Sequence, residues 1–305
     1  MALKFSFGPK KDPKTEAAQR KLRAATLMQE ERKHILSSSS DFFIREAYKT
    51  LRTNVSFALA DDESSKVVLV TSSLQSEGKS ITAVNLAVSY AQADKKVIII
   101  DCDLRRPKLA RLLQANSPVG LSNLLMSRSK TPDVATVASG IRNLDVIPAG
   151  DIPPNPSELL TSQRMQQILE LLKTKYDLIV LDTPPINMVT DAVALAPQTN
   201  GVLFVVRADR SERGAVMHAA EQLEYAKVKV LGFVLNGVEL ENTSYGYGRY
   251  GYRKYGYRKY GYRKYGYGKY GYSKYGYGKY GYSKYGYGYG YSGRSRSQAQ
   301  KEESQ

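Results

Sequence analysis

The feature that most constrains the fold is an alternation of short, continuous apolar runs with segments of helical period. Val67–Thr71, Lys96–Asp101, Leu144–Pro148, Asp177–Asp182, Gly201–Arg207 and Val230–Leu235 read as strands. Between them, Lys79–Ala91 reads as an amphipathic helix, and Lys108–Gln114, Pro156–Lys173, Thr190–Leu195 and Glu212–Ala226 read as helices. Ahead of the first strand, Phe42–Leu59 sets Phe43, Ala47, Leu51, Val55 and Leu59 near helical spacing. Strands that are apolar on both faces and separated by helices imply parallel pairing with both faces covered. The expected fold is therefore α/β, a doubly wound and mainly parallel sheet. Ligands of such sheets bind beyond the C-terminal ends of the strands.

The alternation stops near residue 240. From Tyr245 to Tyr291, 20 of the 24 tyrosines recur in a roughly five-residue unit of the type Tyr-Gly-Tyr-Arg-Lys. Aliphatic residues are absent there and glycine is everywhere, so no packed core can form. Three parts are expected: a flexible basic arm over 1–40, a folded domain over 41–243, and a disordered tail over 244–305. The net charge of +16 divides unevenly among them. From Tyr245 onward, 14 Lys and Arg stand against Glu302 and Glu303, giving +12, while the remaining 31 basic and 27 acidic residues give only +4. A scaffold or nucleic-acid-binding role rests on that tail charge alone and is not favoured. Cys102 has no second cysteine to pair with, which suits a reducing compartment. No apolar run approaches the roughly 18–20 residues of a membrane-spanning helix, and the opening MALKFSFGPKK lacks the apolar stretch of a secretory signal. A cytoplasmic location is expected.

The strand Val67–Thr71 runs into Ser-Leu-Gln-Ser-Glu-Gly-Lys-Ser, residues 73–80, and then into a helix. That is the strand–loop–helix setting of a phosphate-binding loop. Backbone N–H groups of Ser76, Glu77, Gly78, Lys79 and Ser80, with Ile81 at the helix start, are placed to surround a phosphate, aided by the helix N-terminus. Lys79 would neutralise the β- and γ-phosphates, and the Ser80 hydroxyl would join a Mg²⁺ shell. Ser73 replaces the first glycine of the usual pattern. Two other strands end in acids: Val-Ile-Ile-Ile-Asp-Cys-Asp-Leu-Arg-Arg (97–106) in Asp101 and Asp103, and Leu-Ile-Val-Leu-Asp-Thr-Pro-Pro (178–185) in Asp182. Three carboxylates together repel unless a cation sits among them, and Mg²⁺ with a nucleotide is the natural counter-ion. A plainer reading makes them caps of the following turns; it accounts for one aspartate, not for three beside Gly-Lys-Ser.

The loop 73–80, Asp-Cys-Asp-Leu-Arg (101–105) and Asp-Thr-Pro-Pro (182–185) together resemble the bacterial tyrosine kinases of capsule and exopolysaccharide operons, relatives of the MinD/ParA-type P-loop ATPases. Glu-Ala-Tyr-Lys-Thr-Leu-Arg-Thr-Asn (46–54), Gly-Leu-Ser-Asn-Leu-Leu (120–125), Ile-Pro-Ala-Gly (147–150) and Pro-Pro-Asn-Pro-Ser-Glu-Leu-Leu (153–160) extend the likeness over about residues 42–240. The resemblance implies ATP and Mg²⁺ as cofactors, with Lys79 and Ser80 on the phosphates and metal. It implies that one of Asp101 and Asp103 accepts the proton of a tyrosine hydroxyl while the other assists the metal. Asp101 is assigned as the base, although sequence does not separate the two, and Asp182 is assigned to Mg²⁺ with Ser80 and Asp103. Ser76 departs from the glycine usual in this family. The family's self-association helix motif stands here as Glu46, Lys49 and Arg52, with lysine in place of one arginine; the plainer reading is a solvated charged face.

On this resemblance the tail, Tyr245 to Tyr291, is an array of phosphate acceptors, used in trans within an oligomer that can be a ring. Each transfer would shift the charge by about −1.5 to −2. The implied partners are a membrane adaptor of the chain-length-determinant type that activates the kinase at the inner face of the membrane, a cognate phosphotyrosine phosphatase, and polysaccharide-synthesis enzymes as substrates. The competing reading is a MinD/ParA-like ATPase switch that positions a membrane partner without phosphorylating protein. Those ATPases carry a signature lysine five residues before the loop lysine, where this chain has Leu74.

Overall fold

The computed structural model describes residues 26, 28–60, 66–115, 117–127 and 131–238. The expected tail and most of the expected N-terminal arm lie outside the described residues. Seven strands, β1 (Lys66–Ser72), β2 (Val97–Asp101), β3 (Val137–Ala138), β4 (Leu144–Ile147), β5 (Leu178–Asp182), β6 (Gly201–Arg207) and β7 (Val230–Asn236), form one sheet in the order β3-β4-β2-β5-β1-β6-β7. Every pairing is parallel except β3 with β4, which is antiparallel. The doubly wound α/β sheet expected from the sequence is thus present.

Alternate residues of each central strand feed two separate cores. Val67 and Leu69 of β1, Ile98 and Ile100 of β2, Ile179 and Leu181 of β5, and Val202 and Phe204 of β6 face one side. That side is covered by α4 (Leu121–Met126), α5 (Pro156–Leu160), α6 (Gln163–Lys173), α7 (Asp191–Leu195) and α8 (Arg213–Tyr225). Val68 and Val70, Val97 and Ile99, Leu178 and Val180, and Leu203 and Val205 face the other side. There they meet α1 (Phe42–Ala58), α2 (Lys79–Ala91) and α3 (Leu109–Leu112). Both faces bury apolar side chains, so the strands read as unbroken apolar runs.

Four features differ from the sequence expectation. The helix Lys79–Ala91 is not amphipathic in place: every residue of α2 except Ile81 is buried, because α1 lies across its outer face. The Tyr90 hydroxyl donates to the Arg52 carbonyl at 3.1 Å, and the Ser89 hydroxyl to the Tyr48 carbonyl at 3.2 Å, which ties the two helices. The single helix expected over Pro156–Lys173 breaks into α5 and α6, because the Ser162 side chain accepts from the Met165 N–H and so starts a new helix. The helix α4 and the two-residue strand β3 were not anticipated, both being too short for a periodic signal. Finally, the arm expected to be flexible through residue 40 lies against the domain from residue 28. Asn85 of α2 accepts from the Leu36 N–H at 2.7 Å and donates to the His34 carbonyl at 2.9 Å, and Leu36 is buried.

Of the four tyrosines in the domain, three are engaged. The Tyr90 hydroxyl is bonded to Ser56 at 2.8 Å, the Tyr176 hydroxyl donates to Asp145 at 2.8 Å, and burial pushes the Tyr48 hydroxyl above its ordinary pKa. Tyr225, at the end of α8, is 92% exposed. No helix among the described residues is long and apolar enough to cross a membrane.

Removal of the cap that divides α5 from α6 gives a direct measure of it. Ser162→Ala is expected to cost about 1 kcal/mol, read as a lower midpoint in urea unfolding with an unchanged slope.

Candidate nucleotide and phosphoryl-transfer site

The site is built at the C-terminal ends of β1, β2 and β5, where the parallel register decides what meets. Asp101, the last residue of β2, is the register partner of Asp182, the last residue of β5, and Val70 of β1 is the partner of Asp182 on its other side. The phosphate loop leaves β1, on the side of β5 away from β2, and delivers Lys79 to the same point. Lys79 Nζ lies 3.3 Å from Asp103 Oδ2, 3.7 Å from Asp182 Oδ1 and 3.4 Å from Ser80 Oγ. Lys79, Ser80, Asp101, Asp103 and Asp182 are all buried, and the structure brings together every one of these residues singled out in the sequence.

The three carboxylates are held differently. Asp101 is fully enclosed: its Oδ2 accepts from the Lys108 and Leu109 N–H groups at 3.0 and 2.9 Å, and its Oδ1 from the Asp103 N–H at 3.2 Å. It therefore does cap the start of α3, as the plainer reading required, while also standing opposite Asp182. Asp103 turns one oxygen to the Arg106 N–H at 3.0 Å and the other to Lys79. Both oxygens of Asp182 are buried with no hydrogen-bond partner among the described residues. Burial and the neighbouring Asp182 charge push the Asp101 carboxyl up to about 7. Burial likewise raises Asp182, against the pull of Lys79. Burial alone would lower Lys79, but Asp182, Asp103 and Asp101 outweigh it and hold the ammonium above its usual value. One lysine cannot balance three buried acids. The oxygens of Asp182, which have no hydrogen bond among the described residues and only the Lys79 ion pair, form with the Ser80 hydroxyl and Asp103 an all-oxygen donor set that fits a hard divalent cation.

The loop keeps its shape with two serines in place of glycine. Ser76 sits at φ 65°, in the left-handed region that favours glycine. Gly78 sits at φ 95°, and a Cβ there would run into the Asn236 side chain. Ser73 donates its hydroxyl to the buried Glu77 carboxylate at 2.7 Å, the Leu74 N–H donates to the same group at 2.7 Å, and Ser211 closes on it from the turn after β6. Asn236, at the end of β7, donates to the Glu77 carbonyl at 3.1 Å. Glu77 is thus more than a source of a backbone N–H: its side chain organises the loop. The parts of Ser211 and Asn236 were not legible from sequence, since each reads as an ordinary turn or strand-end residue. Of the self-association residues, Glu46 and Lys49 pair with each other at 2.7 Å on the outer face of α1, while Arg52 donates to the Ser89 carbonyl at the end of α2.

A mainly parallel sheet, a phosphate loop opening a buried helix, and acids ending the neighbouring strand β5 and the next strand β2 define a P-loop nucleotide-binding protein. Residues 65–226 match the family model described as an AAA domain. The chain is 41% identical over 203 residues to the tyrosine-protein kinase YwqD of Bacillus subtilis, covering 66% of this chain and 85% of the relative. It is 35% identical over 200 residues to the tyrosine-protein kinase wzc of Salmonella typhi, where the match spans 66% of this chain but only 28% of that longer protein. The solved kinase domain of the Escherichia coli tyrosine kinase ETK superposes with a TM-score of 0.62 at 36% identity, over 68% of this chain and 80% of that one. The chain belongs to the bacterial tyrosine-protein kinase family.

Two outcomes test the site's geometry. Ser76→Gly is expected to retain nucleotide affinity and to gain up to about 1 kcal/mol of stability by relieving the left-handed backbone. Gly78→Ala, which meets Asn236 and keeps a positive φ, is expected to weaken nucleotide binding by roughly tenfold or more; titration with a fluorescent nucleotide reads both. The second outcome concerns pH. With the Asp101 carboxyl at about 7 in the folded chain against 3.8 unfolded, the folded state keeps a proton that the unfolded chain has released. Stability of the nucleotide-free protein therefore falls as pH rises between those values, by up to about 1.4 kcal/mol per pH unit. Denaturant unfolding at pH 5, 6 and 7 is expected to show a fall in stability with pH in the wild type and a shallower one in Asp101→Asn, where only the raised Asp182 carboxyl is left to contribute.

Proposed function

We propose that this tyrosine kinase transfers the γ-phosphoryl group of Mg²⁺-bound ATP to tyrosines between Tyr245 and Tyr291 of a neighbouring copy. The observation that carries the site reading is the single buried lysine set among three buried carboxylates, one of which, Asp182, has no hydrogen bond among the described residues and only a 3.7 Å ion pair with that lysine. Bound there, Mg²⁺ would neutralise charge on the phosphates and the acids. The loop N–H groups from Ser76 to Ser80, with Ile81 at the helix start, would hold the phosphates at the N-terminus of α2. Lys79 would bridge them to Asp103 and Asp182, and Ser80, Asp103 and Asp182 would hold the metal, Asp182 through water. A tyrosine hydroxyl, with a pKa near 10, needs help to lose its proton near neutrality. Asp101, pushed up to about 7, has the proton affinity for that role, and Asp103, on the following turn, is the more open of the two.

The wider setting forms part of the same proposal. A membrane adaptor of the chain-length-determinant type would bring the protein to the inner face of the membrane; the much greater length of the relative wzc supports a partner that supplies what this chain does not match. Polysaccharide-synthesis enzymes would be further substrates, and a phosphotyrosine phosphatase would reverse the modification. Self-association would use α1, where Glu46 and Lys49 share the outer surface with the exposed rings of Phe42, Phe43 and Phe57. Leu74, where the positioning ATPases carry a lysine, and the tyrosine array both favour the kinase over an ATPase switch.

Incubation of the wild-type chain with Mg²⁺, ATP and the cytoplasmic segment of a chain-length-determinant adaptor, alone and with a Lys79→Met copy distinguishable by mass, tests the reading. Phosphotyrosine is expected on the tail of the Lys79→Met copy in the mixture, and Lys79→Met alone is expected to lose about 100-fold or more of the activity. ATP hydrolysis without any phosphotyrosine would instead establish the switch.

A further inference from the structure

Arg105 lies two residues after Asp103, on the turn that follows β2, and its guanidinium is committed away from the acidic centre. Arg105 Nε donates to Asp191 Oδ2 at 2.9 Å and Nη2 to Asp191 Oδ1 at 3.1 Å, a two-point fork. Asp191 opens α7 and is fully buried, and its Oδ1 also accepts the Ser157 hydroxyl of α5. Arg105 Nη2 lies 3.4 Å from the same Ser157 oxygen. The turn after β2 is thus gripped from three directions. Asp101 holds its C-terminal end through Lys108 and Leu109, Gln75 of the phosphate loop accepts from Arg106 at 3.0 Å, and Asp191 holds Arg105. Only the last of these reaches across to the helices on the far face of the sheet.

We propose that Asp191 is a positioning residue for the kinase reaction: through the Arg105 guanidinium it fixes the turn that carries Asp103 and keeps that cation out of the acidic centre. Lysine in place of Arg105 keeps the charge but loses the planar fork, so it separates position from charge. Ser157 orients the Asp191 carboxylate from behind. An ion pair with only its carboxylate buried adds little net stability, so its effect belongs on the geometry of Asp103 rather than on the fold. The inference rests on the reading of Asp103 as a metal-assisting group.

The test uses the full chain as wild type, Asp191→Asn, Arg105→Lys, the double variant, and Asp103→Asn as reference. Phosphotyrosine formation gives kcat and KM for ATP. Titration with ADP in the presence and absence of Mg²⁺ gives the metal-dependent part of the affinity without any turnover. Asp191→Asn and Arg105→Lys are each expected to lower kcat by about 10- to 100-fold, with KM and the Mg²⁺-free ADP affinity unchanged and the gain in affinity on adding Mg²⁺ reduced. The double variant is expected to be no worse than the worse single one, since both act through one fork. Unchanged kcat in both single variants, or a loss that simply follows a lowered melting temperature, overturns the inference. Should Asp191→Asn fail to fold, Arg105→Lys, altered at the half-exposed end of the pair, decides it by the same readings. If Asp103→Asn itself leaves kcat and the Mg²⁺ effect intact, the reading of Asp103 falls and this inference with it. If Asp103→Asn is damaging while Asp191→Asn and Arg105→Lys are harmless, this inference alone is lost.

Discussion

The site depends on a repulsion that the sheet makes unavoidable. Parallel register sets the ends of β2 and β5 side by side, so Asp101 faces Asp182 across one hydrogen-bonded step, and Asp103 follows within two residues. Both faces of the sheet are sealed by helices, so water does little to screen these charges. Two like charges at such range cost on the order of 4 kcal/mol at the effective dielectric near a protein surface. The molecule distributes that cost. Asp101 takes three backbone N–H groups and an elevated proton affinity, Asp103 takes one N–H and the lysine, and Asp182 is left with the lysine alone. The remainder is an unmet demand for positive charge, placed where the phosphate loop brings its ligand.

The phosphate loop shows how such a demand can be served without the usual glycines. Ser73, Leu74 and Ser211 all bond the Glu77 carboxylate, and Asn236 holds the Glu77 carbonyl, so strand ends β1, β6 and β7 converge on one residue of the loop. A side-chain lattice of this sort fixes a backbone that glycine would only permit. It also accounts for Ser76 remaining at a positive φ, since neighbours on both sides hold the chain there.

Much of this was legible from sequence, for a physical reason. A strand buried on both faces must be apolar throughout, so β1, β2, β5 and β6 declared themselves, and the acids that end them stood out against that background. The residues read from sequence as the site, Lys79, Ser80, Asp101, Asp103 and Asp182, indeed meet. What escaped was information carried by partners distant in sequence. The burial of α2 depends on α1, the break at Ser162 on a competing cap, and the ordering of residues 28–36 on Asn85. Asp191 looked like a routine acid in the first turn of a helix. Its importance is visible only once Arg105, 86 positions earlier, lies against it.

The state of the domain's own tyrosines has a consequence for fidelity. An enzyme that modifies tyrosine is surrounded by its own product-to-be, and it must avoid damaging its fold. Here the safeguard is passive. Tyr90 and Tyr176 have committed their hydroxyls to partners within the fold, and burial raises the proton affinity of the Tyr48 hydroxyl, so all three are harder to deprotonate or present than a solvent-exposed tyrosine. Tyr225 alone stands in solvent. Within the domain, the hydrogen bonds and burial of the fold itself thus set three of the four tyrosines apart from Tyr225 as candidates for modification.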